Sequence, residues 1–160
     1  MTSFKPYNLG CESSPSVPCE TLLQDGWDTF LLFEPFSGTG EFIIVECEDC
    51  ASSKFGYPND EGLPEHPHYL DGLSDSDASV LVSEETLWLS EVSSQMRRSS
   101  ERIWGGRGMK VSTDRKKLFH FIIPLKEATF ECIASSLKIA HRAKNYDEAF
   151  IYVRERFAQH

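Results

Sequence analysis

Two neighbouring apolar segments contain the side chains of a possible nucleophilic centre. Cys132 lies in the segment TFECIA, and His120 lies in the preceding segment FHFIIP. A thiol beside an imidazole, with Glu131 or Asp60 as the carboxylate that orients the ring, would suit a hydrolase or a transferase. Period-two alternation nevertheless places Cys132 among apolar neighbours, where a cysteine is usually an inert core residue. Because His120 stands between two phenylalanines, a hydrogen-bonded structural histidine is the competing interpretation.

A second group of candidate side chains combines a C-x-x-C pair with an H-x-H pair. Cys47 and Cys50, together with His66 and His68, would supply four zinc ligands. The H-x-H spacing is tighter than that of the usual zinc finger, and two acidic residues separate the cysteines. No helix is predicted after Cys50 to lower a thiol pKa, as a thioredoxin-like motif requires. A zinc-stabilised module stays an alternative, and the main expectation is that the protein has no metal or other cofactor.

Residues 54–73, KFGYPNDEGLPEHPHYLDGL, show neither helical nor strand periodicity. Their apolar and aromatic residues distinguish them from a disordered segment, so we predict an ordered loop whose prolines, glycines and Asx residues form turns. The alternative is that this loop also presents polar side chains to a ligand or partner. The candidate binding residues are Asn59, Asp60, Glu61, His66, His68 and Tyr69.

The apolar patterning predicts one domain over residues 21–160, preceded by an irregular arm at residues 1–20. Two antiparallel hairpins are predicted, with strands at residues 29–36 and 41–47, and at residues 118–125 and 129–141. One amphipathic helix is expected to follow an N-cap at Ser83, and a second is expected to begin at Asn145. The predicted fold class is therefore α+β, with both hairpins in one antiparallel sheet that the two helices cover.

Several segments of the chain resemble those of a known family. The stretches FGYPNDEG, HPHY and GL, followed by HFIIPL and TFECIA, are similar to a family of small bacterial proteins of uncharacterised activity. The resemblance spans residues 29–134. It implies that the loop and the second hairpin belong to one structural design, and it implies no activity, ligand or catalytic residue.

Charge is distributed unevenly along the chain. Residues 1–96 contain 18 carboxylates and two lysines, a balance of −16, whereas residues 97–160 contain 14 Lys and Arg and 7 carboxylates, a balance of +7. Contact between the two halves would offset part of this difference. The remaining net charge of −9 repels nucleic acid phosphates and favours encounter with basic proteins. We therefore expect a basic protein partner and no binding of nucleic acid.

The chain lacks a long apolar run and a recognisable secretory signal, so we expect no membrane span and a cytoplasmic location. Its five cysteines are an odd number and would stay reduced there, without a disulfide framework. No Walker, Rossmann or G-x-S-x-G motif occurs. The leading interpretation is a small binding module, similar in role to an immunity protein or an accessory factor. The Cys132/His120 enzyme and the zinc-stabilised module are its alternatives.

Overall fold

The computed structural model describes residues 3–12, 19–35, 39–74, 80–107 and 116–160. Within these residues the chain forms short antiparallel strands and two α-helices. The strands are β1 (Lys5–Pro6), β2 (Thr21–Gln24), β3 (Thr29–Phe33), β4 (Phe42–Glu48), β5 (Ser52–Gly56), β6 (Leu81–Ser83), β7 (Phe119–Pro124), β8 (Thr129–Ala134) and β9 (Ser136–Ala143). The helices are α1 (Leu87–Trp104) and α2 (Tyr146–Phe157), and single 3-10 turns occur at Leu63–Glu65, Tyr69–Asp71 and Gly105–Arg107.

The α+β class is confirmed, but the prediction of a single sheet is wrong. One sheet has five strands in the order β1-β6-β7-β8-β5, and the other has four in the order β2-β3-β4-β9. Both predicted hairpins form, as β3 with β4 and as β7 with β8. The strand predicted at residues 129–141 is interrupted at Ser135, whose backbone N–H donates to the carbonyl of Glu48 at 2.9 Å. The segment predicted as one strand therefore passes from β8 in one sheet to β9 in the other at this corner.

The main apolar core lies between the two sheets. Alternating residues of each strand point inward, as the period of two requires. This core contains Leu31, Phe33, Ile43, Val45, Cys47, Phe121, Ile123, Phe130 and Cys132, together with buried residues that flank them. The sheets therefore form a sandwich, and each sheet presents its other face to a helix or a loop.

Helix α2 covers the outer face of the four-stranded sheet through Ala149 and Val153, which pack against Phe30 and Ile44. The predicted start at Asn145 is confirmed, since the side-chain oxygen of Asn145 accepts a hydrogen bond from the backbone N–H of Glu148 at 2.9 Å. An asparagine at this position satisfies a backbone donor that the first helical turn leaves unpaired.

Helix α1 covers part of the outer face of the five-stranded sheet through Leu89 and Val92, which pack against Ile133. Its N-cap is Thr86 and not Ser83: the hydroxyl of Thr86 accepts from the backbone N–H of Leu89 at 3.1 Å. Ser83 is the last residue of β6 and lies three positions before the Thr86 cap. The predicted cap was wrong because both residues are suitable caps and the extent of β6 decides between them.

The loop after β5 covers the rest of this outer face, together with the N-terminal arm. Phe4 and Leu73 are buried against Ile122, and Lys5–Pro6 pair with β6 as a two-residue strand in the segment predicted to be irregular. The loop itself begins at residue 57, because β5 occupies residues 52–56. Residues 13–18 of the arm lie outside the described part of the chain.

Gly72 closes this loop against the arm and gives a first testable prediction. Its φ is +133°, and a Cβ there would come within 2.7 Å of the carbonyl oxygen of Phe4. Gly72→Ala should lower the free energy of unfolding by roughly 1–3 kcal/mol, the usual cost of an unfavourable backbone conformation. Urea unfolding measures this loss. Gly26→Ala is the control, because no atom lies within 4 Å of the added methyl group, and an equal loss in both variants would contradict the prediction.

Candidate functional site

A carboxylate between two imidazoles lies on the outer face of the five-stranded sheet. Glu131 on β8 accepts a hydrogen bond from Nε2 of His120 on β7 at 2.8 Å. Nε2 of His66, in the loop, lies 3.4 Å from the other oxygen of the same carboxylate. The side chain of His120 is 0% exposed, that of His66 is 2% exposed and that of Glu131 is 14% exposed. These three side chains, together with the nearby His68, form what we call the histidine–glutamate cluster.

The hydrogen bonds of the cluster assign its protons. Nδ1 of His66 accepts from the backbone N–H of His68 at 3.1 Å, so a neutral His66 carries its proton on Nε2. Nδ1 of His120 lies 3.1 Å from the hydroxyl of Thr86, which already accepts from the backbone of α1 and can donate to the ring. His120 therefore donates its Nε2–H to Glu131, and the Nε2 of His66 lies beside the other oxygen of the same carboxylate.

Burial and hydrogen bonding shift the pKa values of this cluster. Burial lowers the pKa of His120, because its charged form loses hydration that the Glu131 carboxylate replaces only in part. Burial by itself would raise the pKa of Glu131, but hydrogen bonds from His120 and His66 reverse this and hold that pKa well below its usual range. Lys54, which is the cross-strand partner of Glu131, lowers it further.

His68 completes the cluster on its more exposed side. Nδ1 of His68 lies 2.8 Å from a carboxylate oxygen of Asp71, and its side chain is 22% exposed. Its ring centroid lies 5.6 Å from that of His120 and 5.0 Å from that of Phe4. Trp88 of α1 closes the opposite side of His120, with the ammonium of Lys54 3.8 Å above its indole ring. Aromatic rings thus exclude water from most of the cluster.

These shifts predict that acid destabilises the protein. Below pH 6.5, the ordinary pKa of histidine, His120 binds a proton in the unfolded chain that the folded chain does not bind. Below pH 4.5 the same holds for Glu131. Stability therefore rises with pH through both ranges. The urea midpoint should fall as the pH is lowered from about 8 to about 4. His120→Gln should reduce the pH dependence of the urea midpoint near pH 6.5, whereas the control His160→Gln should leave that dependence unchanged. A urea midpoint that does not change with pH would contradict these pKa shifts.

The predicted nucleophilic centre is not brought together. His120 and Glu131 point outward from the five-stranded sheet, whereas Cys132 points into the core between the sheets. Since successive residues of a strand face opposite ways, Cys132 cannot share a face with Glu131, its immediate neighbour. Asp60, the alternative orienting residue, instead pairs with Lys126 at 2.7 Å. The imidazole of His120 therefore orients a carboxylate and activates no thiol.

The predicted zinc site is also separated by the sheet. Cys47 and Cys50 lie on the inner side with Cys132, while His66 and His68 lie on the outer side with Glu131. Among the residues that the structure describes, no group of three or more His, Cys, Asp or Glu side chains is arranged to hold a metal ion. The C-x-x-C and H-x-H pairs belong to two different clusters because β8 passes between them.

The predicted binding residues divide into two sets. His66 and His68 belong to the histidine–glutamate cluster, and Tyr69 is half-buried beside the apolar group that includes Phe4. The side chain of Asn59 accepts from the backbone of Gly62 at 3.0 Å and so holds a turn, as the structural interpretation of the loop predicts. Asp60 and Glu61 lie in the same turn, and Glu61 is exposed. Of the six predicted binding residues, Glu61 is the one that is exposed to solvent.

The turn joins a larger group that we call the acidic loop surface, formed by Glu20, Tyr57, Asp60, Glu61 and Glu127. Lys126 lies among the four carboxylates: Asp60 pairs with it, and the charges of Asp60, Glu61 and Glu127 raise its pKa. The carboxylate of Glu20 accepts from the backbone N–H of Glu127 at 2.7 Å. Tyr57 is 76% exposed although its ring lies against Gly62. An exposed aromatic ring thus stands beside a net negative charge.

Several residues of these clusters were missed by sequence reasoning. Lys54 escaped notice because β5 was not predicted as a strand, and Thr86 because the helix cap was placed at Ser83. Alternation did contain one usable signal. It places His120 and Glu131 on the same face of two adjacent antiparallel strands. Glu131 is paired with Ile122, so His120, two residues before Ile122, is its diagonal neighbour.

Comparison of the chain with protein-family models, curated proteins and solved structures finds no match in any of the three. The resemblance to a family of small bacterial proteins stays a prediction. Among the helices in the described ranges, none is long and apolar enough to cross a membrane.

Proposed function

We propose that this protein is a small bacterial binding module of the cytoplasm, similar in role to an immunity protein or an accessory factor, and that it recognises a basic protein. The acidic loop surface is the observation that carries the proposal. Four carboxylates there surround one lysine, and Tyr57 projects beside them with 76% of its surface exposed. Charge of one sign around an exposed aromatic residue is typical of a protein interface.

The rigidity of this surface supports the same function. The hydroxyl of Thr129 donates to the carbonyl of Pro58 at 2.7 Å, and the backbone N–H of Asp60 donates to the carbonyl of Lys126 at 3.2 Å. These bonds fix the turn to the end of the β7–β8 hairpin before any partner arrives. A preorganised surface loses less conformational entropy on binding, which favours affinity.

The test compares charge reversal on the acidic loop surface with charge reversal elsewhere. The variant Glu61→Lys/Glu127→Lys and the control Glu41→Lys/Glu155→Lys have the same net charge, and all four residues are exposed. Each protein is immobilised and incubated with cell lysate at low and moderate salt, and the retained proteins are identified by mass spectrometry. A basic protein that wild type and control retain, and that the variant loses, would support the proposal.

Binding to the purified candidate partner then measures how much the charge reversal changes the Kd. Opposing like charges at an interface cost several kcal/mol, so the Kd of Glu61→Lys/Glu127→Lys should be at least about a hundredfold higher than that of wild type. Circular dichroism checks that both variants are folded. The absence of any retained protein that distinguishes variant from control would refute the proposed function.

Tyr57 gives a second measure of the same interface. If its ring is the central contact, Tyr57→Ala should weaken binding by about 2 kcal/mol, or roughly thirtyfold in Kd, as exposed tyrosines at interface centres often do. Isothermal titration with the purified partner measures this effect. Tyr146→Ala is the matched control, since Tyr146 is also exposed but lies at the start of α2. Equal affinity of Tyr57→Ala and wild type would place the interface elsewhere.

A further inference from the structure

Three thiols belong to one cluster between the two sheets. Cys47 belongs to β4 of the four-stranded sheet, Cys132 belongs to β8 of the five-stranded sheet, and Cys50 lies in the connection from β4 to β5. Cys132 is 0% exposed and shares a buried cluster with Cys47, against which Cys50 packs, while the Sγ of Cys50 lies 3.5 Å from the carbonyl oxygen of Ser52. Cys50 and Cys132 are 82 positions apart in the sequence, and the sandwich brings them together.

The three thiols differ in burial and in their partners. Cys50 is half-buried, whereas Cys47 and Cys132 are buried. The neighbouring Cys132 thiol lowers the pKa of the Cys50 thiol to about 7, and Thr29 contributes in the same direction. Burial raises the pKa of Cys132 well above its usual range, and its interactions with Cys47 and Cys50 raise it further. Cys50 thus ionises more readily than Cys132.

We propose that Cys50 is an oxidant-sensitive site at which hydrogen peroxide forms a sulfenic acid, and that Cys132 resolves it as a Cys50–Cys132 disulfide. The site stands on the convergence of three thiols from two sheets, with one of them at the edge of the core. A partly exposed thiol that packs against a cluster containing a second thiol has the arrangement of redox-sensitive cysteines.

The chemistry needs only hydrogen peroxide and the two thiols. The Cys50 thiolate attacks one peroxide oxygen, so an S–O bond forms and the O–O bond breaks, and the leaving hydroxide takes up a proton to become water. The sulfur of Cys132 then attacks the sulfenic sulfur, forming the S–S bond and breaking the S–O bond. The hydroxyl group of the sulfenic acid leaves as water, together with the proton of the Cys132 thiol. Two sulfur atoms are oxidised, and one peroxide is reduced to two waters.

Cys11 and Cys19 provide internal controls. Both are half-buried like Cys50, but burial raises the pKa of each thiol. At neutral pH, iodoacetamide should therefore alkylate Cys50 roughly tenfold faster than Cys11 or Cys19, after allowance for the lower nucleophilicity of a more acidic thiol. In urea the difference should vanish, because it depends on the fold. Equal rates in the folded protein would overturn the assignment of Cys50.

The second step is tested by peptide mapping after treatment with hydrogen peroxide. The folded wild-type protein should lose two thiols and yield a Cys50–Cys132 disulfide peptide, and Cys50→Ser should abolish this product while Cys11→Ser retains it. In Cys132→Ala the sulfenic acid has lost its resolving thiol, so dimedone should label Cys50 more strongly than in wild type. Because Cys132→Ala empties a buried site, Cys47→Ser serves as a second variant that keeps the Cys50–Cys132 product. A disulfide that joins Cys47 to Cys50 instead, or no disulfide at all, would overturn the proposal.

Discussion

Glu131→Ala should lower the free energy of unfolding by roughly 2–6 kcal/mol, because it leaves two buried N–H donors unpaired and each costs about 1–3 kcal/mol. The donors are Nε2 of His120 and Nε2 of His66, which both point at the missing carboxylate. No water can reach the fully buried ring of His120 without displacing its aromatic neighbours. Urea unfolding followed by circular dichroism measures the loss.

Two further variants test whether the loss of stability comes from the missing carboxylate. Glu131→Gln keeps one acceptor oxygen and should lose less stability than Glu131→Ala. Glu155→Ala removes an exposed carboxylate from α2 and should change stability by less than about 0.5 kcal/mol. If Glu131→Ala were as stable as Glu155→Ala, the carboxylate would not hold the two histidines, and the histidine–glutamate cluster would not stabilise the loop against the sheet.

Phe130→Ala should cost about 3–5 kcal/mol, the usual penalty for removing a buried phenylalanine ring. Phe130 is 0% exposed and packs between the two sheets, with Ile123 opposite it on β7 and Phe55 opposite it on β5. The rigid strands on both sides limit collapse into the cavity, so the large end of the range applies. For a chain of this length the melting temperature should fall by about 10 °C or more.

Phe150→Ala is the matched control for this substitution. It makes the same chemical change on α2, where the ring is 43% exposed, so both the transfer loss and the cavity are smaller. Thermal unfolding of the two variants should therefore give clearly different midpoints. Equal destabilisation would mean that the sheets do not share a close-packed core around Phe130.

Local signals predicted the elements well because each depends on neighbouring residues alone. The alternation of β7 and β8 and the Asn145 cap both concern contacts within a few positions. The number of sheets could not be predicted in this way. Whether β8 and β9 form one strand or two depends on the bonds between Ser135 and Glu48, 87 positions away in the sequence.

The candidate sites show the same division. Alternation correctly indicated that Cys132 belongs to the apolar face, and the composition of the loop correctly indicated turns around Asn59. The sequence named Glu131 as one possible partner of His120, and the structure shows that pairing, whereas the predicted partner Cys132 faces the opposite side of the sheet. Cys50 was set aside for want of a helix, while the group that lowers its pKa is a thiol from another strand.

The sequence by itself determined the two hairpins, the two helices and the excess of negative charge, because periodicity, capping and charge are properties of short segments. Only the tertiary structure decided that a single strand, β8, separates two clusters. It turns Glu131 outward to two histidines and Cys132 inward to two thiols. The physical reason is that adjacent residues of a strand face opposite sides of the sheet, and what covers each side is set by segments that are distant along the chain.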